Sequence, residues 1–434
     1  MANDGFPKVE LGPICLKIGS GATPHGGSKV YLVSGDVALI RSQNVYNDGF
    51  IHDGLVFITE EHAAQLSNAT LERGDVLLNI TGDSVARCCQ VDSNVLPARV
   101  NQHVAIIRPN PHELDPGFLR YFLVSPAMQS KMLSWSHAGA TRKALTKGMI
   151  ESFKVPKPDL PVQQRIADVL GKLDDKIELN RRMNRTLEKM AAAIFKSWFI
   201  DFDPVHAKAE GRDPSLPPEI ADLFPDTFED SDLGPIPKGW DCSTVGDEFS
   251  LTMGQSPPGE TYNESREGTP FFQGRRDFGF RFPTNRVYCT APTRFAARGD
   301  TLMSVRAPVG DVNMAIDRCS VGRGVAAARH KSTSISYTYY AFRSLRDRFE
   351  VYNGEGTVFG SISQKDLRAI PWLAPDDSVV SRFDQMAGPI DQRIELNEVQ
   401  NRRLAGLRDI LLPKLLSGEI ELPEAEAIAE EVPS

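Results

Sequence analysis

The chain has 434 residues, 41% of them apolar and 24% charged, with a formal net charge of −8. That length exceeds one comfortable core and leads us to expect roughly two to four domains. No run of about 18 apolar residues is present, so a membrane-spanning helix is excluded. "MANDGFPKVELGP" carries no apolar signal-peptide core, so a cytoplasmic protein is expected.

Residues 1–160 hold short β-type runs such as "VALIRSQNVY" and "DVLLNITG", separated by Gly, Pro, Asn and Asp. This pattern predicts a compact β-rich domain with a few helices. From 161 to 200 the positions 166, 170, 173, 177, 180, 184, 187, 191, 194 and 198 step by four and three, and all but two are apolar. A 3.5-residue repeat of this length predicts a long coiled-coil helix. Residues 201–234, rich in Asp and Pro, read as an extended connector with at most a short helix. A second β-rich stretch, 235–375, follows. Residues 376–418 then repeat the helical pattern at 380, 383, 387, 390, 394, 397, 401 and 404, and Pro413 is expected to kink or end that helix. Residues 419–434 read as an acidic tail.

The charge is uneven. The segments 201–234 and 371–434 have net charges of −8 and −7, while 161–200 and 235–370 have +3 and +4. The acid therefore sits in the connector and the C-terminal stretch, and the globular segments can present basic faces to a polyanion. The six cysteines form no C-x-x-C pair or zinc spacing, which fits idle thiols in a reducing compartment.

The chain is written twice. "DDKIELN" (174–180) returns as "DQRIELN" (391–397), 217 positions later. "ERGDVLLNI" (72–80) echoes "ARGDTLMSV" (297–305), "VNQHVAIIRP" (100–109) echoes "VGRGVAAARH" (321–330), and "SGATP" (20–24) weakly echoes "GQSPP" (254–258). Repeats this long are two copies of one structural unit.

Catalytic signatures are missing. There is no phosphate-binding G-x-x-x-x-G-K-[ST], no G-x-S-x-G, no H-E-x-x-H and no Asn/Asp-Pro-Pro-aromatic tetrad. Asp159, Asp174 and Lys176 mimic a metal-nuclease triad. Asp174 and Lys176 fall inside a heptad helix, however, and are expected to be solvated helix charges.

The paired "D-x-[KR]-I-E-L-N" helices, the central "MAAAIFKSWFIDFDPVHAKAEGR" and the terminal "LLPKLLSGEIEL" resemble the specificity subunit of type I restriction–modification systems. The resemblance covers nearly the whole chain. It implies an α+β protein in which two β-rich target recognition domains are separated by two long antiparallel coiled-coil helices. Each domain would read one half of a bipartite double-stranded DNA site, and the helices would act as a ruler. Two methylation subunits would attach through the helical regions, and motor-nuclease subunits would join for cleavage. The chain would be non-catalytic and hold no cofactor or metal. S-adenosylmethionine, ATP and Mg would belong to the partners.

Base reading needs Arg, Lys, Asn, Gln or Thr on rigid loops. The first domain offers Arg41, Gln43, Asn44, Thr81, Arg87, Arg99, Asn101, Gln102, Thr141, Arg142 and Lys143. The second offers Gln273, Arg275, Arg276, Arg306, Arg323, Gln364 and Lys365. For Asn101 and His103, alternation along the strand leaves burial as the competing role. In the helices, Asn180, Asn184, Asn397 and Asn401 take seam positions where an amide can fix register. Antiparallel crossing would set Asn184 against Asn397 and Asn180 against Asn401.

Overall fold

The computed structural model describes residues 5–137, 144–353 and 360–430. The chain divides into two compact units, Met1–Leu179 with Gln400–Ser434, and Asn180–Val399. The division cuts each long helix near its middle, so each unit holds one β-rich domain and half of both helices.

The first unit has a four-stranded antiparallel sheet in the order Cys15–Ser20, Val104–Pro109, Val76–Asn79, Cys88–Gln90. A smaller sheet orders Val56–Ile58, Val37–Ile40 and Ala98–Val100, the last two parallel. The central strands bury both faces, which is why they read as continuous apolar runs. Val76, Leu78, Ala105 and Ile107 enter one core, while Leu77, Val104 and Ile106 enter another, following the two-residue strand period.

The second unit repeats the plan. Its four-stranded sheet orders Phe249–Met253, Val325–His330, Thr301–Ser304 and Val312–Met314. In its second sheet Thr269–Phe272 runs parallel to Cys319–Val321. An ion pair between a central strand and the turn before its neighbour is also duplicated. Arg108 Nε meets Asp75 Oδ1 at 2.7 Å, and Arg329 Nε meets Asp300 Oδ1 at 2.5 Å.

The long helices span Leu160–Phe199 and Asp377–Ser417. Most of the heptad positions are buried, although Leu187, Ile194 and Ile390 are half-buried and Phe195 takes the buried place beside Ile194. Ile166, Leu170, Leu173 and Ile177 join Leu404, Leu411 and Leu415 in the first unit's core. Ala191, Phe195 and Trp198 join Val380, Phe383 and Ala387 in the second. Within the second unit, residue 184 meets 397 and residue 195 meets 383, so the helices run antiparallel there.

Three readings of the sequence are corrected. First, the second helix does not end at Pro413 but continues to Ser417. Leu411, Leu412, Leu415 and Leu416 are all buried. At about 2 kcal/mol each, they outweigh the roughly 3 kcal/mol of an interior proline. Second, residues 201–234 are packed rather than extended. They form helices Asp203–Ala209 and Pro218–Ala221 and a hairpin, Phe228–Ser231 with Gly234–Pro237. Val205, Ile220 and Phe224 enter the second unit's core. Third, the acidic tail forms helix Leu422–Glu430, with Ala425 buried and Glu426 2.9 Å from Arg165.

Asp174 is likewise no solvated charge. Its carboxylate accepts from Arg120 at 2.5 Å, Tyr121 at 2.8 Å and Arg408 at 2.8 Å. Burial raises its pKa, and the two guanidiniums outweigh that and hold it below the ordinary carboxylate range. Among the described residues, no three His, Cys, Asp or Glu side chains converge as metal ligands would. Nor is any helix there long and apolar enough to cross a membrane.

Candidate nucleic-acid interface

In each unit four chain segments meet at one edge of the β domain. They are the turn after the parallel strand, the end of a central strand, the turn between the last two strands, and the loop after the first strand. The same backbone bonds hold them twice. Asn101 N–H donates to the Ile40 carbonyl at 3.1 Å, and Gly322 N–H donates to the Phe272 carbonyl at 2.8 Å. Ile80 N–H donates to the His103 carbonyl at 2.9 Å, and Val305 N–H to the Gly324 carbonyl at 3.0 Å. The first-strand loop lies so close that only glycine fits. A Cβ on Gly21 would sit 1.7 Å from the Val100 carbonyl oxygen, and one on Gly254 would sit 2.1 Å from that of Gly322.

In the first unit a polar chain crosses this edge. Thr23 Oγ1 donates to Gln102 Oε1 at 2.6 Å, Gln102 Nε2 lies 2.8 Å from His103 Nε2, and His103 Nδ1 lies 2.6 Å from Thr81 Oγ1. An amide nitrogen only donates. His103 Nε2 therefore accepts, and the ring proton sits on Nδ1, facing Thr81.

Gln43 is exposed, with Nε2 3.2 Å from the Gly54 carbonyl. Arg41 donates to the same carbonyl at 2.6 Å and lies over Tyr31, and Arg87 lies over Tyr46 at 4.4 Å. Asn44 and Asn101 are corrected as base readers by their burial, while Arg99 is half-buried. Asn44 is fully buried and donates to the carbonyls of Ile51 and Asp53, bracing the turn. Asn101 is buried and accepts from His103 N–H at 3.0 Å. Arg99 donates to the carbonyls of Ala63 and Ala98, and burial pushes its pKa down. Thr141, Arg142 and Lys143 lie outside the described residues.

In the second unit Gln273, Arg306 and Arg323 line one cleft of about 530 Å³, together with Ser256, Pro257 and Tyr262. All three predicted residues are exposed. Arg275 is held by Asp311 at 2.5 Å, whereas Arg276 is exposed beside it. Gln364 and Lys365 lie elsewhere, in a hollow with Thr244, Asp247 and Arg368. Buried Asp277 accepts from Gln273 N–H at 3.2 Å, as Asn44 accepts from Arg41 N–H at 3.1 Å. Thr23, Ser256 and Tyr262 were not singled out from the sequence. The faint echo of "SGATP" in "GQSPP" is the signal that marked two of their loops.

Four amides lie in the helix seam. Asn180, Asn184, Asn397 and Asn401 are all buried. Asn397 Nδ2 donates to Asn184 Oδ1 at 2.7 Å, and Asn184 Nδ2 donates to Glu398 Oε1 at 2.8 Å.

Two β domains with matching loop edges, each carried on halves of the two long helices, make a tandem arrangement, and known proteins resemble it. Residues 3–189 match the family described as type I restriction modification DNA specificity domain. A putative type I restriction enzyme MjaX specificity subunit from Methanocaldococcus jannaschii is 27% identical over 74% of this chain and 72% of its own length. The type I restriction enzyme HindI specificity subunit of Haemophilus influenzae is 25% identical over 89% of this chain and 94% of its own. The type-I restriction-modification system S subunit from M. genitalium shares the fold, with a TM-score of 0.57 at 15% identity, over 96% of this chain and 97% of its own. Over most of its length the chain is thus similar to specificity subunits of type I restriction–modification systems.

Proposed function

We propose that each unit reads one half of a bipartite double-stranded DNA target. The long helices set the gap between the halves and carry two methylation subunits. The observation that supports this most is the duplicated loop edge: the same four segments and the same backbone bonds present Thr81 and Gln102 in one unit and Arg306 and Arg323 in the other. Loops braced by buried Asn44 and Asp277 are pre-organised, as sequence readout requires.

In this reading the chain supplies specificity and no chemistry. It works in the cytoplasm within a complex whose motor-nuclease subunits join for cleavage. S-adenosylmethionine, ATP and Mg are bound by the partners, and the purified chain alone should neither methylate DNA nor hydrolyse ATP.

The test is domain replacement. Exchanging residues 1–150 for the equivalent segment of a relative should change one half of the recognised sequence and leave the other intact. A simultaneous change in both halves would refute the two-reader arrangement.

A further inference from the structure

We infer that the two units read chemically different bases from equivalent positions: the first reads adenine through Gln102, and the second reads guanine through Arg323 and Arg306. This rests on the reading of both units as DNA readers and adds what each one selects.

The two copies differ in charge at two positions that their shared backbone bonds make equivalent. The backbone bonds that pair Ile80 with His103 and Val305 with Gly324 place Thr81 opposite Arg306, and Gln102 opposite Arg323. At both places the first unit carries a neutral side chain and the second carries a guanidinium.

Gln102 is already oriented. Its oxygen accepts from Thr23 and one amide proton goes to His103, which leaves one free lone pair and one free N–H. One donor beside one acceptor matches the acceptor N7 and donor N6 that adenine shows in the major groove. The arginines nearby are engaged, Arg41 on the Gly54 carbonyl and Tyr31, Arg87 on Tyr46, and Arg99 on two carbonyls.

Arg306 and Arg323 are exposed in one cleft with Gln273 and Tyr262. Among the described residues, neither arginine has a carboxylate within ion-pair distance, whereas Arg275 next to them is tied to Asp311. A guanidinium offers parallel donors and no acceptor, so it matches the two acceptors of guanine, N7 and O6, and cannot satisfy the N6 donor of adenine.

The experiment uses the full chain in complex with its methylation subunit. Its two-part site is first mapped by sequencing methylated genomic DNA. Binding is then measured on duplexes that differ from that site by single base pairs. Arg323→Gln installs the residue found at the equivalent position of the first unit. It should lower the preference for guanine at one position of one half by about 5- to 150-fold and leave the other half unchanged. Gln102→Ala should do the same for an adenine in the opposite half, and Arg306→Gln serves as a second variant of the guanine reader. All three side chains lie at the surface edge, and an unchanged melting temperature checks folding. Equal weakening on every duplex would mean phosphate contact and would overturn the inference while leaving the two-part reader standing. Loss at an A·T position with Arg323→Gln would overturn it as well. A wild-type complex with no two-part site would instead remove the proposed function on which it rests.

Discussion

Asn397 donates its amide proton to the carbonyl of Asn184 across 2.7 Å, with both side chains almost fully buried. The relation joins the first Asn of one "IELNxxxN" phrase to the second Asn of the other. An apolar seam slides by a heptad at little cost, whereas a paired amide does not, because slipping strands a buried donor.

Asn184→Leu should therefore destabilise the chain by about 1–3 kcal/mol, since the Asn397 amide keeps only its weak contact with Met183 Sδ, at 3.3 Å. Asn184→Leu with Asn397→Leu should recover most of that loss in urea unfolding. The double variant should also accept DNA sites whose gap differs from the wild-type gap. A double variant with unaltered gap preference would show that register is fixed elsewhere.

Asp174 and Asp391, each the first residue of the repeated phrase, anchor the β domain of their own unit to its helix. Tyr121 donates to Asp174 at 2.8 Å and Tyr340 to Asp391 at 3.2 Å. The counter-charge comes from different places. Arg120 and Arg408 serve Asp174, while fully buried Arg281 meets Asp391 at 2.7 Å and lies 3.9 Å from the Tyr339 ring centroid. Asp391→Asn should cost roughly 3–5 kcal/mol, because it leaves Arg281 buried with one carboxylate fewer. Tyr340→Phe should cost only about 1 kcal/mol. Urea midpoints of the two variants that fall together would contradict this ranking.

The duplication, the strand runs and both helix seams were legible because each imposes a period on the sequence. Leu170 and Phe383 are buried where the heptad places them. Long-range ion pairs carry no such period. Nothing in the sequence near Asp174 announces Arg120 or Arg408, so its carboxylate read as a surface charge. For the same reason Asn44 read as a candidate base contact. Its strand-end position was correct, but the two carbonyls that consume its amide come from residues 51 and 53, across a turn.

The connector shows the opposite failure. Its acid and proline suggested a spacer, yet Phe224 is buried and packs edge-on against Trp198 with ring centroids 5.1 Å apart. Lys208 Nζ caps the Phe224 carbonyl at 2.6 Å. Phe224→Ala should lower unfolding free energy by about 3–5 kcal/mol, the cost of emptying a core aromatic site. A spacer would tolerate the change within about 0.5 kcal/mol, as surface positions do.

His330 gives the second unit a pH-dependent stability. The ring is buried at the end of a central strand, between Phe249 and Tyr337 at 5.1 and 4.9 Å. Its Nδ1 accepts from Ser332 N–H at 3.2 Å, so the ring proton sits on Nε2, 3.6 Å from Glu248. Lys331 meets the same carboxylate at 2.7 Å and offsets its pull. Burial is the largest influence and lowers the pKa of His330 below its ordinary 6.5, with Glu248 acting in the other direction. The unfolded chain therefore binds a proton that the folded chain refuses. The associated stability is complete above about pH 6.5 and declines as pH falls toward the lower folded value. The stability of wild type minus that of His330→Gln isolates this group from the carboxylates that titrate nearby. That difference should shrink or turn negative between about pH 7 and pH 5.5 in urea unfolding at fixed salt. A difference that stays constant across that window would mean that His330 does not control the acid limb.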